Sequence, residues 1–291
     1  MKQAFLVPHF LLISLGGVIA QSGVQDSLLK EIAFYSDVMV NADLEQHRIR
    51  AHGIFLNSMY SLTGMDQSYE VSLDSIPWIS VLHGDDFRIV TWQLRLSDEE
   101  YKYGGFFQSS DRLVELKDTR PWINGSLRNT YAPDTWYGAL YYKIIPFEVK
   151  GKKSYILFGF NAENSLLNTK VADVLDLSGD VPKFGMPLFN GKEDSQTRLI
   201  LTYADASSVQ LIFDPELNAI VHDHLENLMG VGPAGEMLPV SDGSQEGWFL
   251  KEGKWVYQEK VYDIKSEVPP MTEDRKERKE DKDILGRPKK G

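Results

Sequence analysis

The sequence predicts an α+β fold, with an N-terminal helical segment packed on a mainly antiparallel β body of about ten strands. Three observations predict it. Near the N-terminus, apolar residues recur at helical spacing. Beyond Gly64 the period changes to two. Short turn signals then punctuate the chain, with no repeat of fixed length.

The helical part spans residues 25–63. Leu28, Ile32, Tyr35 and Met39 share one helical face, and Ser22 with Gln25, or Asp26 alone, would cap its start. Asn41 and Asp43 interrupt the pattern. A second stripe of Leu44, Ala51, Phe55 and Met59 then runs to Gly64, a plausible stop. Two helices, or one kinked helix, are expected.

Residues 68–265 are β-rich. In "FRIVTWQLRL", Val90, Trp92, Leu94 and Leu96 share a face with Arg88, opposite Thr91, Gln93 and Arg95, which reads as a half-buried strand. "KYGGFFQSS" and "RLVELKD" continue the meander, and residues 118–136 are loop-like. "WYGALYYKIIPFEVKGKKSYILFGF" is a hairpin about "KGKK", and apolar residues on both faces of its first strand suggest a central strand covered on both sides. Pro146 hints at a bulge or an edge there. "NSLLNTKVADVLDL" reads as a short helix. "RLILTYADASSVQLIFDPELNAIVHDHL" reads as three strands, and "GWFLKEGKWVYQEKVY" as a final pair folded about "KEGK".

The two ends differ from this body. Lys2, the apolar run to Ala20 and the small residues Val18 and Ala20 read as a signal peptide over residues 1–20, cleaved after Ala20. The apolar stretch from Phe10 is about 11 residues, against roughly 20 for a spanning helix, so no transmembrane segment is expected. Residues 266–291 are charged, contain Pro269-Pro270 and carry few large apolar groups, so a disordered tail is expected. The single folded domain is therefore expected over residues 21–265.

Cysteine and charge limit the function. There is no cysteine, which excludes thiol catalysis, thiolate-bound zinc and disulfide staples. The whole chain carries −11, and residues 21–265 hold 22 basic against 35 acidic side chains. An acidic body repels phosphate backbones and anionic membranes, so no nucleic-acid partner is expected.

His222 and His224 are the sharpest candidates for chemistry. Residues i and i+2 of a strand point to one face, and two imidazoles there begin a metal site. A third ligand is missing nearby; His83, beside Asp85 and Asp86, is the one distant partner of suitable type. The simpler alternative is a half-exposed His222 and a His224 that bonds a turn. His47 and His52 are five apart on a helix, about 140° around its axis, and do not pair. Trp78, Trp122 and Trp136 lie in or beside loops and could stack on a sugar, whereas Trp92 belongs to an apolar face. "SDGSQEG" lacks the spacing of a nucleophile elbow, and Asp242-Gly243 reads as a turn. No HExxH, P-loop, G-x-G-x-x-G or EF-hand loop is present, and no cofactor is predicted. Asn124 heads a glycosylation triplet.

The stretches "SDVMVNADLEQHRIRA", "DFRIVTWQL", "WYGALYYKI", "LFGF", "KVADVL", "LIFDPELNAIVHDHL" and "DGSQEGWFLKEGKWVY" together resemble a family of uncharacterised exported proteins of Gram-negative bacteria. The resemblance covers most of residues 30–262 and implies export to the periplasm or the extracellular side. It implies no activity and no site residue. The expected function is a non-catalytic binding or envelope-associated module, with a glycan or an envelope protein as partner. A hydrolase acting on an extracellular polymer is the alternative, since such enzymes need only two carboxylates.

Overall fold

The structure is a computed structural model that describes residues 12–97, 99–119, 127–162, 164–191 and 195–262. The described residues group into two compact units, divided between Pro77 and Trp78.

The first unit is a helix pair, α1 (Leu12–Asn41) and α2 (Glu45–Thr63). Ile32 and Met39 of α1 and Ala51, Phe55, Met59 and Leu62 of α2 are buried, as their helical spacing requires. The break at Asn41 to Asp43 is real. Arg48 closes it by donating from one terminal nitrogen to the carbonyls of Ala42 and Asp43, at 2.7 and 2.8 Å. These carbonyls would otherwise lack partners at the end of α1. Two expectations are corrected. α1 runs through Ser22 to Asp26, so no cap forms there, and Leu44 is exposed, directly before α2. Of the expected signal peptide, residues 1–11 lie outside the described residues, and residues 12–20 belong to α1. The expected tail, residues 266–291, also lies outside them.

The second unit holds three sheets. The first is β1 (Ile79–His83), β2 (Phe87–Arg95), β3 (Tyr101–Ser109) and β4 (Leu113–Lys117), in that order. The second comprises β5 (Leu140–Val149), β6 (Lys152–Ala162), β7 (Leu167–Asp176), the two-residue β8 (Lys183–Phe184) and β10 (Arg198–Ala204). Its order is β10-β7-β6-β5, with β8 on β7. The third is built from β9 (Phe189–Asn190), β11 (Leu211–Asp214), β12 (Ala219–Leu228), β13 (Leu238–Lys251) and β14 (Lys254–Tyr262), in the order β11-β12-β13-β14-β9. Every named pair is antiparallel except β14 with β9.

The described residues thus form fourteen strands rather than about ten. Those not expected are β1, β7 and the very short β8 and β9. β7 corrects the reading of "NSLLNTKVADVLDL" as a helix. Val171 and Leu175 join one core, and Ala172 and Val174 the other. Burial on both faces hides the period of two, so apolar content imitates a helix.

The second sheet is the middle layer. Tyr155, Leu157, Val171 and Leu175 pack against Phe87, Ile89 and Phe107 of the first sheet. Ile156, Phe158, Ala172 and Val174 pack against Leu211, Ile220, Trp248 and Trp255 of the third. Sequence-adjacent residues point to opposite cores, so the expected cover on both faces of β5 is present, but β5 ends the sheet and is not the central strand expected. Pro146 lies on β5, an edge strand of that sheet. β2 departs from the half-buried reading: Arg88, Thr91 and Gln93 are as buried as Val90 and Trp92. Gln108 Oε1 receives the Arg88 guanidinium at 2.7 and 2.9 Å.

Both tight turns were legible. Lys150-Gly151 and Glu252-Gly253 each connect two strands with φ positive at both residues (51° and 73°, 51° and 75°). That is the two-residue hairpin turn in which glycine costs least. The second leads from β13 into β14, which anchors one end of the site described next.

Candidate functional site

β12 and β13 pair in two stretches separated by an irregularity. Asp223 faces Gln245 and Leu225 faces Ser241, so Asp242, Gly243 and Ser244 all stand opposite His224. Such a bulge re-aims side chains at a sheet surface. Gly243 adopts φ +84°, a value that suits glycine. Asp242 Oδ1 accepts from the Ser244 amide and hydroxyl at 2.8 and 2.6 Å, and Ser241 Oγ accepts from the Gly243 amide at 3.1 Å. "SDGS" is therefore a bulge inside a strand, not the free turn that Asp242-Gly243 suggests in sequence.

His222 lies on the same face as Ile220 and is buried. Trp248 Nε1–H donates to its Nε2 at 3.1 Å, and its Nδ1 lies 3.0 Å from the Asp223 carbonyl. An indole nitrogen can only donate, so the proton of His222 is on Nδ1 and is given to that carbonyl. Both ring nitrogens are occupied, and burial pushes the imidazole pKa down. This overturns His222 as a metal ligand and as a half-exposed residue.

His224 is half-exposed and differently engaged. Its Nδ1 lies 2.8 Å from Glu246 Oε1, and the Tyr257 hydroxyl donates to the same oxygen at 2.5 Å. A carboxylate only accepts, so Nδ1 of His224 carries the proton. Burial, then the bond to Glu246, pushes the Tyr257 pKa up. The other nitrogen of His224, Nε2, lies 4.0 Å from Glu226 Oε1. One ligand atom each of His224, Glu226 and Asp242 falls within 4.8 Å of the others.

His83 is exposed at the end of β1, in the first sheet, and takes no part in that group. Of the tryptophans, Trp136 is fully buried, donates to the Tyr141 hydroxyl at 3.0 Å and packs on Phe184. It is a core residue, not a stacking platform. Trp78 is half-buried with φ +62°. Trp122 and Asn124 lie outside the described residues. Asp173 has a pKa raised by burial, as a catalytic acid would, but its side chain is fully buried. It accepts from Arg198 Nε at 3.2 Å and from the Tyr141 hydroxyl at 3.3 Å, so it serves the core.

Glu226, Asp242 and Glu246 were missed in the sequence. A lone Asp-Gly inside an alternating run was the available signal for the bulge. Pairing of Glu246 with His224 had none, because the two are joined only through strand register.

Beyond the bulge the same hairpin continues to the pair Leu228 and Leu238. Leu228, Met229 and Met237 at its end are 46%, 70% and 57% exposed. Residues 219–250 contain five carboxylates and no Lys or Arg. Among the described residues no helix is long and apolar enough to cross a membrane. The chain matches no known protein family, no curated protein and no solved structure.

Proposed function

We propose that this chain is an exported, non-catalytic binding module that offers the end of the β12–β13 hairpin to an envelope protein. The carrying observation is the grouping of Leu228, Met229 and Met237, all large and exposed, on one hairpin end. Isolated exposed apolar residues need no explanation, whereas a group of them marks an interaction surface. Methionine suits such a surface because its flexible thioether adapts to a partner.

Charge selects the kind of partner. Five carboxylates with no basic residue over 219–250 repel anionic lipid headgroups and phosphates. A protein with an apolar pocket and a basic rim complements both features. Export rests on Lys2, the apolar run and the small residues before position 21. The burial of Trp136 removes one of the three rings a glycan platform would use.

A photoreactive residue placed at Met229 or Met237 in the full chain, expressed in a Gram-negative host, tests this reading. One discrete envelope protein should crosslink from both positions and not from Glu252, in the turn at the other end of β13. Equal crosslinking from Glu252, or none from either methionine, would overturn it. Mass spectrometry of the recovered chain should show an N-terminus at Gln21.

A further inference from the structure

We infer that His224, Glu226 and Asp242 form a site for a divalent transition cation of the zinc class, with Glu246 as the residue that orients His224. The inference stands whether or not the hairpin end binds a partner.

The donor set comes first. One imidazole and two carboxylates, drawn from two neighbouring strands, bring ligand atoms within 4.8 Å of one another. Neighbouring donors around a tetrahedral ion with bonds of about 2.0–2.2 Å lie roughly 3.3–3.6 Å apart. The 4.0 Å from His224 Nε2 to Glu226 Oε1 closes to that range with a small rotation of the exposed Glu226 side chain.

The contact between His224 Nδ1 and Oε1 of Glu246, a residue outside the three ligands, is the second observation. A ligating histidine ordinarily gives its second ring N–H to a carboxylate, which fixes the ring and leaves the other nitrogen's lone pair for the metal. Glu246 does this for His224 at 2.8 Å, and Tyr257 holds the same Glu246 oxygen from the next strand. Nε2 is the nitrogen left over, and it is the one near Glu226. By contrast, His222 has both nitrogens occupied, so only one of the two histidines is poised for a metal.

The chemistry chooses the ion. An imidazole beside two carboxylates suits zinc and its neighbours, whereas calcium and magnesium prefer oxygen alone. Three protein donors leave a fourth position for water or another ligand. The place also has a mechanical meaning. Asp242 lies in the bulge and Glu226 lies on the outer hairpin stretch. A cation joining them across the interruption would fix the outer hairpin to the sheet.

The test uses the untagged full chain, stripped with EDTA and titrated with Zn2+ alone at neutral pH. About one ion per chain should bind, with Ca2+ and Mg2+ failing to displace it. His224→Ala and Asp242→Asn should abolish uptake. Glu226→Gln alters an exposed side chain and keeps the test valid should either of the others misfold; it should also abolish uptake. Glu246→Gln should weaken binding roughly 10- to 100-fold. His83→Ala and His47→Ala should bind as the parent does. No stoichiometric uptake, or uptake unchanged in Glu226→Gln, would overturn the site. Affinity unchanged in Glu246→Gln would overturn the orienting role.

Discussion

The indole N–H of Trp248 donates to Nε2 of His222 at 3.1 Å, two residues along β12 from Ile220, the residue paired with Trp248. That bond sets the tautomer of a buried imidazole and ties the end of the third sheet's core together. Trp248→Phe keeps most of the ring packing on Phe189 and Tyr257 but leaves His222 Nε2 buried without a donor. We expect a loss of about 1–3 kcal/mol in urea unfolding, and 15N spectra of the parent chain should show His222 protonated on Nδ1. Unfolding within about 0.5 kcal/mol of the parent would contradict the assignment.

Burial lowers the pKa of His222 below its ordinary 6.5. The stability tied to its neutral form is complete above about pH 6.5 and is lost as pH falls toward the folded value. In that window the unfolded chain binds a proton that the folded chain lacks. The slope is at most about 1.4 kcal/mol per pH unit for one proton. Between about pH 7.5 and about pH 5.5, the parent should therefore lose more stability than His222→Gln. Parallel curves for the two chains would show that His222 contributes nothing to the pH dependence.

Arg198 and Asp173 form a fully buried ion pair between β10 and β7. The guanidinium also donates to the carbonyls of Asn129 and Phe184 and stacks over Tyr131 at 4.6 Å. Arg198→Met leaves a buried carboxylate without its cation and should cost about 3–5 kcal/mol. Asp173→Asn added to Arg198→Met should recover part of that loss, because the uncompensated charge is then gone. Additive losses in the double variant would contradict this.

Gly159, in β6 of the middle sheet, has no room for a side chain. A Cβ there would sit 2.9 Å from Ala139, Tyr141 and Val171. Gly159→Ala should therefore destabilise the chain by about 1–3 kcal/mol through overpacking. Gly151→Ala, where a Cβ meets nothing but φ is +73°, should cost about 1 kcal/mol from backbone strain alone. A larger loss at Gly151 than at Gly159 would reverse the argument about layer packing.

What could be read in the sequence followed the range of the forces involved. Lys150-Gly151 and Glu252-Gly253 were legible because a turn is decided by its own residues. The helix stripes through Ile32, Met39, Phe55 and Met59 were legible because one face of each is buried and the other is not. β7 was not, since Val171 and Ala172 face different cores and erase the alternation. Trp136 was misplaced for a related reason: its loop is polar, but the ring turns back onto Tyr141. At the site, His224 was visible as a candidate and its partners were not. Glu246 lies 22 residues away in sequence, and only the register of β12 on β13 brings them together.

The apolar end of the β12–β13 hairpin is the proposed binding element. Competition for the crosslinked envelope complex tests it most directly, with unlabelled parent chain set against a Met229→Asp/Met237→Asp chain. Both substitutions are at exposed positions, so the double variant should fold with little change in stability. Excess parent should extinguish the crosslink from position 229 while the double variant leaves it intact; equal competition by the two chains would contradict the claim.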